Sequence, residues 1–188
     1  MDEVRLSSTS YVVLGMIALR GPSTPYDLKR AVGHSVGYFW HFPHAQLYSE
    51  PDRLTELGLL ELAVEDRGRR RKTYSLTGAG RTALRDWLAS PTDVHFQMRD
   101  IAELKLFFNE AGDPGNVTAL ACEQITQHRD RIAEYEAMQA RFGADPRAQP
   151  RMITLELGLE MEHAALRFWT ALADDDLDRL RAARRPPP

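Results

Sequence analysis

A strongly basic loop between two short alternating segments limits the possible folds of this chain more than any other feature. Leu60, Leu62 and Val64 alternate with polar residues before the loop, and Tyr74 and Leu76 alternate after it. A period of two indicates β-strands, and a glycine-containing loop between two such runs predicts a β-hairpin. The tip carries five positive charges within six residues: Arg67, Arg69, Arg70, Arg71 and Lys72. Arginines on a projecting loop suit phosphate or a narrow minor groove, although a solvated turn is the simpler alternative.

Short helical segments are predicted ahead of this hairpin. An apolar run at residues 11–19 follows a cluster of capping residues at 7–10 and is closed by Gly21 and a proline, which favours a helix over a buried strand. Thr24 predicts the N-cap of a second helix, because Pro25 suits the first helical position.

Pro43 opens a third predicted helix, in which Leu47, Leu54 and Leu57 share one face. Pro51 lies inside it, and an interior proline costs about 3 kcal/mol, so we expect a kink or a broken turn there. Three short helices followed by a hairpin with a basic tip are the order of a winged helix-turn-helix. In that motif the third helix enters the major groove of DNA.

A fourth helix follows the hairpin, with Thr77 as its predicted cap. Apolar residues at helical spacing lead us to expect one buried stripe on it, made of Ala83, Leu84, Trp87 and Leu88.

A Ser-Pro-Thr-Asp sequence at residues 90–93 marks the predicted boundary between two domains. We expect a winged-helix DNA-binding domain in residues 1–92 and a helical dimerisation domain in residues 93–188, with a loose proline-rich tail. The predicted fold class is therefore mainly α with a small β-hairpin, in which an all-helical domain follows the winged helix-turn-helix.

Helices of the second domain are predicted at about 101–108, 117–142 and 152–172. Apolar residues of the longest one recur at spacings of three and four, as in a coiled-coil seam. Since a small winged head leaves little other core to cover these stripes, we expect them to bury against each other and against a second subunit. The predicted dimer interface consists of Ile125, Ile132, Tyr135, Leu159 and Trp169.

Composition narrows the function classes. The net charge of −3 hides an asymmetry, since residues 1–92 hold 12 basic against 10 acidic residues and residues 93–188 hold 12 against 17. If a nucleic acid is a partner, the first half of the chain must therefore contact it. One cysteine excludes an internal disulfide and fits a reducing cytoplasm, and no uncharged apolar run is long enough for a membrane span.

No phosphate loop, nucleophile elbow or zinc-ligand spacing occurs, so we expect neither an enzyme, nor a metal, nor a cofactor.

Three stretches carry a specific resemblance: YVVLGMIALRGPSTPYDLKR, FWHFPHAQLYSEPDRLTELGLL and RGRRRKTYSLTGAGRTALRDWL. They resemble the PadR-like family of winged-helix transcriptional regulators over residues 8–89. RDIAELKLFF, residues 99–108, resembles the start of the longer C-terminal helical domain with which long-form members dimerise. The resemblance implies a cytoplasmic, homodimeric repressor of double-stranded operator DNA, released by a small aromatic or cationic effector.

The resemblance also places a Gln-x-Tyr pair, Gln46 and Tyr48, on the recognition helix. Glutamine can bond adenine in the major groove, and Tyr48 can donate to a phosphate unless it packs inward against Leu28 or Tyr74. Arg53 is predicted either as a phosphate clamp or as a surface charge. The complete predicted DNA-binding set is His44, Gln46, Tyr48, Ser49, Arg53, Arg67, Arg69, Arg70, Arg71 and Lys72.

Trp40 and Trp169 are candidates for an aromatic effector pocket, although aromatic stripes are more often core or dimer seam. Two rival functions remain at the level of sequence. One is a helical interaction module whose winged helix binds protein without binding DNA, and the other is an enzyme with a helical lid. A steep salt dependence of binding to a promoter fragment separates the first rival from a DNA-binding regulator.

Overall fold

A computed structural model describes residues 6–40, 43, 45–66, 70–113 and 115–178 of the chain. Its contacts divide the chain into two compact units, Met1–Val94 and His95–Pro188. The first unit holds helices α1 (Ser8–Arg20), α2 (Pro25–Gly33), α3 (Gln46–Glu56) and α4 (Gly78–Ala89), with strands β1 (Leu60–Val64) and β2 (Lys72–Leu76). The second holds α5 (Ile101–Phe107), α6 (Asn116–Phe142) and α7 (Gln149–Ala173). The predicted fold class, mainly α with one small antiparallel sheet, is confirmed.

Local capping rules fix where the first helices begin. The Ser7 hydroxyl accepts from the Ser10 amide, and the Ser10 hydroxyl accepts from the Ser7 amide, which closes a capping box at the start of α1. Thr24 and Asp27 form the same reciprocal pair at the start of α2, with Pro25 as its first residue. The predicted helix starts are therefore confirmed.

The hairpin has the predicted strands and a simple register. Leu60 faces Leu76, and Leu62 faces Tyr74, in an antiparallel pair. Ser23 pairs with the other edge of β2, where its amide and carbonyl exchange hydrogen bonds of 3.0 and 2.9 Å with Tyr74. The segment between α1 and α2 is thus joined to strand β2 of the hairpin.

The core of the first unit lies between α1, α2, α3 and the inner face of the hairpin. Leu14, Leu28, Leu47, Leu54 and Tyr74 have no exposed surface. Burying an aliphatic or aromatic side chain of this size contributes roughly 1.5–3 kcal/mol, so this contiguous cluster holds α3 in place.

The broken turn expected at Pro51 is absent, since residues 46–56 are helical without interruption. Pro51 lies in the second turn of α3, so the helix loses one backbone hydrogen bond near its beginning. The proline ring is fully buried in the core, and this burial offsets part of the cost.

The stripe expected on α4 is not buried as predicted. Trp87 and Leu88 are 44% and 68% exposed, and Ala83 and Leu84 are only partly buried. The first turn of α4 fits closely against the core, where Gly80 is buried, and Leu84 packs against the same core. Trp87 stacks on Tyr11 of α1 with ring centroids 4.4 Å apart, so it covers the surface of α1 instead of entering the core.

The second unit is built around the pairing of α6 with α7. Ile132 and Tyr135 of α6 are buried in this pairing, and the Tyr135 ring lies close to Gly158 of α7. His128 Nδ1 is 2.6 Å from a carboxylate oxygen of Glu162, which joins the two helices. Ala102 of α5 packs into a second cluster with Ala121 and Trp169.

Within the residues that the structure describes, no helix is both long enough and apolar enough to span a bilayer.

Candidate nucleic-acid interface

Helix α3 has one face in the core and a polar face directed away from it. Leu47, Pro51 and Leu54 are buried, whereas Gln46, Tyr48 and Ser49 are exposed. Tyr48 is 46% exposed, so the inward packing considered for it does not occur. Toward the C-terminus of α3 the polar face carries two acidic residues, Asp52 and Glu56. The first turn of α3 carries no charged side chain.

Thr9 of α1 holds the side chain of Gln46. The Thr9 hydroxyl donates to Gln46 Oε1 over 2.8 Å, and Thr9 itself is only 7% exposed. Gln46 therefore starts α3 with its amide oriented by a neighbouring helix.

Arg53 belongs to a three-residue network that binds α3 to α1. Its guanidinium donates to both carboxylate oxygens of Glu50, at 3.0 and 2.7 Å, and to the Ser10 hydroxyl at 3.0 Å. Ser10 in turn donates to Glu50 over 2.6 Å. Burial alone would raise the pKa of Glu50, but the bonds from Arg53 and Ser10 outweigh it and lower that pKa. Arg53 is thus engaged within the protein, an arrangement that neither sequence alternative included.

Asp52 of α3 anchors the hairpin. It accepts from the buried Tyr74 hydroxyl at 2.6 Å and from Lys72 Nζ at 2.9 Å. The hydrogen bond from Tyr74, followed by the one from Lys72, lowers the pKa of Asp52. Burial, together with Asp52, raises the pKa of Tyr74 well above its usual range, so Tyr74 stays a hydrogen-bond donor at all physiological pH values.

Arg71 makes a second anchor, from the hairpin to α2. Its guanidinium is 3.2 Å from Asp27 Oδ2. The hydroxyl and amide of Thr24 are the main reason that the pKa of Asp27 is lowered, and Arg71 adds to the effect. Two of the predicted DNA-binding cations, Arg71 and Lys72, therefore already have acidic partners within the chain.

Arg70 is the remaining described cation of the hairpin tip. It is exposed and has a positive φ of 48°, a left-handed conformation typical of a tight turn. Its side chain makes no ion pair with any residue in the described ranges. His44, Arg67 and Arg69 lie outside the described residues.

Asp52 thus joins the second turn of α3 to strand β2 of the hairpin. Sequence reasoning missed Thr9, Ser10, Asp27 and Asp52 as parts of this site. Thr9 and Ser10 belong to the capping cluster predicted at residues 7–10, and that pattern does not signal their contacts with α3. For the contacts of Asp27 with Arg71 and of Asp52 with Tyr74 we find no sequence signal.

These three carboxylates predict a specific acid sensitivity of the first unit. Since the pKa values of Asp27, Glu50 and Asp52 are lowered by folding, their contribution is complete above the carboxyl pKa of the unfolded chain, about 4. It is lost as the pH falls through the folded values. We expect the free energy of unfolding to be level between about pH 5 and 7 and to fall below that range. Denaturant unfolding at a series of pH values measures this, and Glu50→Gln should show a shallower fall. Equal acid slopes in both proteins would contradict the assignment.

The residues predicted for the dimer interface are largely covered within one chain. Ile132, Tyr135 and Leu159 are each 7% exposed, and Trp169 is 4% exposed. Ile125 is partly buried against the cluster of Ala102, Ala121 and Trp169. Their burial comes from the α6–α7 pairing, and their contact with a second subunit remains a prediction.

The two effector candidates have different environments. Trp40 belongs to the first unit and is 46% exposed, whereas Trp169 is core in the second unit and packs edge-on against Phe168. No group of three or more metal-ligating side chains is found within the described part of the chain.

Helices α2 and α3, packed against each other and followed by an anchored hairpin, define a winged helix-turn-helix. The model of the transcriptional regulator PadR-like family matches residues 13–86, and that of the virulence activator alpha C-terminal family matches residues 98–175. The winged helix-turn-helix of this chain thus belongs to the PadR-like family of transcriptional regulators, and its helical unit matches the C-terminal domain of the long form. The predicted family is therefore confirmed.

Relatives extend over most of the chain. The negative transcriptional regulator PadR of Bacillus subtilis is 26% identical over 136 residues, which cover 69% of this chain and 74% of that protein. A probable transcriptional regulator of Mycobacterium tuberculosis is 27% identical over 173 residues, 81% of this chain and 89% of its own length.

Solved structures show the same fold. Bacillus subtilis PadR in complex with operator DNA superposes with a TM-score of 0.80 at 21% identity, covering 90% of this chain and 99% of that one. The complex of the same protein with p-coumaric acid gives 0.73 at 22% identity, covering 89% and 97%. The Vibrio cholerae virulence activator AphA gives 0.67 at 26% identity, covering 92% and 99%.

Proposed function

We propose that this protein is a homodimeric, cytoplasmic repressor that binds double-stranded operator DNA through α3 and the hairpin. The observation that carries the proposal is the exposed first turn of α3, with Gln46, Tyr48 and Ser49 at the surface, beside a hairpin anchored to the same helix. A relative that is a negative regulator, and a neighbour of the same fold solved with operator DNA, support it.

The first turn of α3 is the part suited to the major groove. In helix-turn-helix proteins the N-terminal residues of the recognition helix contact base edges. That end also carries the positive pole of the helix dipole, whereas the exposed Glu56 at the other end would repel phosphate. We therefore assign base contact to Gln46 and Ser49, and phosphate contact to the Tyr48 hydroxyl.

Within the hairpin, Arg70 is the described cation best placed to bind phosphate, because Arg71 and Lys72 are neutralised by Asp27 and Asp52. Arg70→Ala should weaken binding to operator and random DNA alike and reduce the salt slope by about two per dimer, because each subunit loses one phosphate contact. Fluorescence anisotropy across a salt series measures this. Arg85→Ala removes the same charge from α4 and serves as the matched control. An Arg70→Ala protein with the wild-type slope would remove Arg70 from the interface.

Dimerisation is assigned to an apolar stripe on α7. Ile153, Leu157 and Met161 recur at intervals of four, so they share one face of the helix, and they are 74%, 62% and 46% exposed. Each half-site is held weakly by one head, so linking two heads raises affinity through their effective concentration. A second copy of the chain that covers this stripe would supply that link.

We further propose that a small aromatic or cationic effector releases the DNA. The p-coumaric acid complex of a protein with the same fold supports the aromatic class. An effector acts by favouring a dimer geometry in which the spacing of the two heads no longer matches the half-sites. Trp40 is the exposed candidate to contact it, and Trp169 is the buried one.

Activation is the second candidate, because AphA, a virulence activator, is 26% identical over nearly the whole chain. Footprinting of the protein on DNA upstream of its own gene locates the operator. Transcript levels from that promoter, with and without the gene, then give the sign. A repressor predicts a rise when the gene is removed, whereas a fall would establish activation. The absence of any footprint on that DNA together with unchanged transcript levels would contradict regulation of that promoter.

A further inference from the structure

The side chain of Gln46 is exposed, but a hydrogen bond restricts its orientation. Thr9 lies 37 residues earlier in the chain, on α1, and its hydroxyl donates to Gln46 Oε1 over 2.8 Å. Thr9 is 7% exposed, so its position is set by the packing of α1, whereas Gln46 is exposed at the start of α3. The buried hydroxyl of Thr9 thus donates to the amide of Gln46, the side chain that is proposed to contact a base.

This contact distinguishes the two ends of the amide. Oε1 and Nε2 are bonded to the same planar carbon, so holding Oε1 toward α1 turns Nε2 away from α1. A rotation of the amide by half a turn would reverse the bond, with Nε2 as the donor and the Thr9 hydroxyl as the acceptor, because a hydroxyl can take either role. In the observed arrangement Thr9 donates to Oε1, so the end of Gln46 left for a partner is the donor Nε2.

The neighbouring turn restrains the helix that carries Gln46. Ser10, next to Thr9, donates to Glu50, which lies four residues after Gln46 and on the same side of α3. Arg53 closes this network on Glu50 and Ser10. Two successive residues of α1 thus hold two successive turns of α3, so the helix and the Gln46 side chain are both oriented before any ligand arrives.

We propose that Thr9 is a positioning residue for base readout, which sets the sequence preference of α3 through Gln46 and touches no base itself. With Nε2 turned outward, Gln46 donates to a hydrogen-bond acceptor on a base edge: O6 or N7 of guanine, N7 of adenine, or O4 of thymine. Cytosine, which presents an amino donor in the major groove, is disfavoured at that position. The inference rests on the proposed DNA-binding function.

The test uses the full-length protein and a library of random-sequence DNA duplexes. Selection with the wild type, Thr9→Val and Thr9→Ser gives a binding motif for each. The serine variant keeps the hydroxyl and should enrich the wild-type motif. The valine variant keeps the size and loses the donor, so preference at one base pair should weaken by roughly 3- to 10-fold, as expected for one net hydrogen bond. Its affinity for a shuffled duplex should not change.

A double-mutant cycle separates positioning from packing. In a Gln46→Ala background, Thr9→Val should have no further effect on the motif, because the side chain it orients is gone. The inference is overturned if Thr9→Val weakens all duplexes equally, or if its effect persists without Gln46. A wild-type protein that enriches no motif at all would overturn the proposed function and this inference with it. A clear wild-type motif that Thr9→Val leaves unchanged would overturn this inference alone.

Discussion

Replacing Ile153, Leu157 and Met161 together by glutamate should convert the protein into a monomer and lower its affinity for operator DNA by at least about 100-fold. The three side chains form an exposed stripe on α7, and glutamate is a good helix former, so α7 itself should remain folded. A head that binds alone loses the effective concentration contributed by its partner. Sedimentation analysis, circular dichroism and anisotropy on the same samples measure the mass, the helicity and the affinity.

The control places the same three negative charges on exposed polar positions. Thr126, Gln127 and Thr154 are exposed and polar, and their replacement by glutamate removes no apolar surface from the stripe. This control should remain a dimer. A stripe variant that stays dimeric, or one that becomes monomeric and still binds its operator as tightly as the wild type, would contradict the assignment.

Gly80→Ala should destabilise the first unit by on the order of 3 kcal/mol, a large loss for a single methyl group. A Cβ at this position would lie 2.1 Å from the Leu59 carbonyl oxygen. This oxygen belongs to the backbone, so no change of side-chain rotamer can relieve the clash. The helix α4 approaches the start of β1 this closely because Thr77, its cap, also donates to the Leu59 carbonyl. Denaturant unfolding followed by circular dichroism measures the change.

Gly78 offers the matched control in the same helical turn. A Cβ added there would meet nothing within 4 Å, so Gly78→Ala should leave stability unchanged or raise it slightly. Equal effects of the two substitutions would show that helix propensity, and not close contact, explains the glycine at position 80.

Features governed by neighbouring residues were predictable from the sequence. The caps at Thr24 and Thr77 and the two strands follow rules that act within a few residues, and all of them are present. The stripe on α4 was not predicted correctly, because a helical period shows which residues share a face and not whether anything covers it. Trp87 and Leu88 share that face and remain exposed.

The candidate site also contains some features that the sequence predicts and others that it does not. Gln46 and Tyr48 were identified through the family resemblance, which places a Gln-x-Tyr pair on the recognition helix, and the structure shows both exposed at the first turn of α3. The contacts that orient the site join residues far apart in sequence, such as Thr9 with Gln46 and Asp27 with Arg71, which are 37 and 44 positions apart. No periodicity or local motif contains such pairs, because they depend on how the helices pack.

The affinity of the wild-type dimer for its footprinted operator, compared with a shuffled duplex across salt concentrations, tests DNA recognition by this protein most directly. We predict that the operator is bound at least about 1,000-fold more tightly than the shuffled duplex at physiological salt. Binding to both duplexes should weaken steeply between about 50 and 200 mM salt, because phosphate contacts release counterions. Equal affinities for the two duplexes, or binding that does not respond to salt, would contradict DNA recognition by this protein.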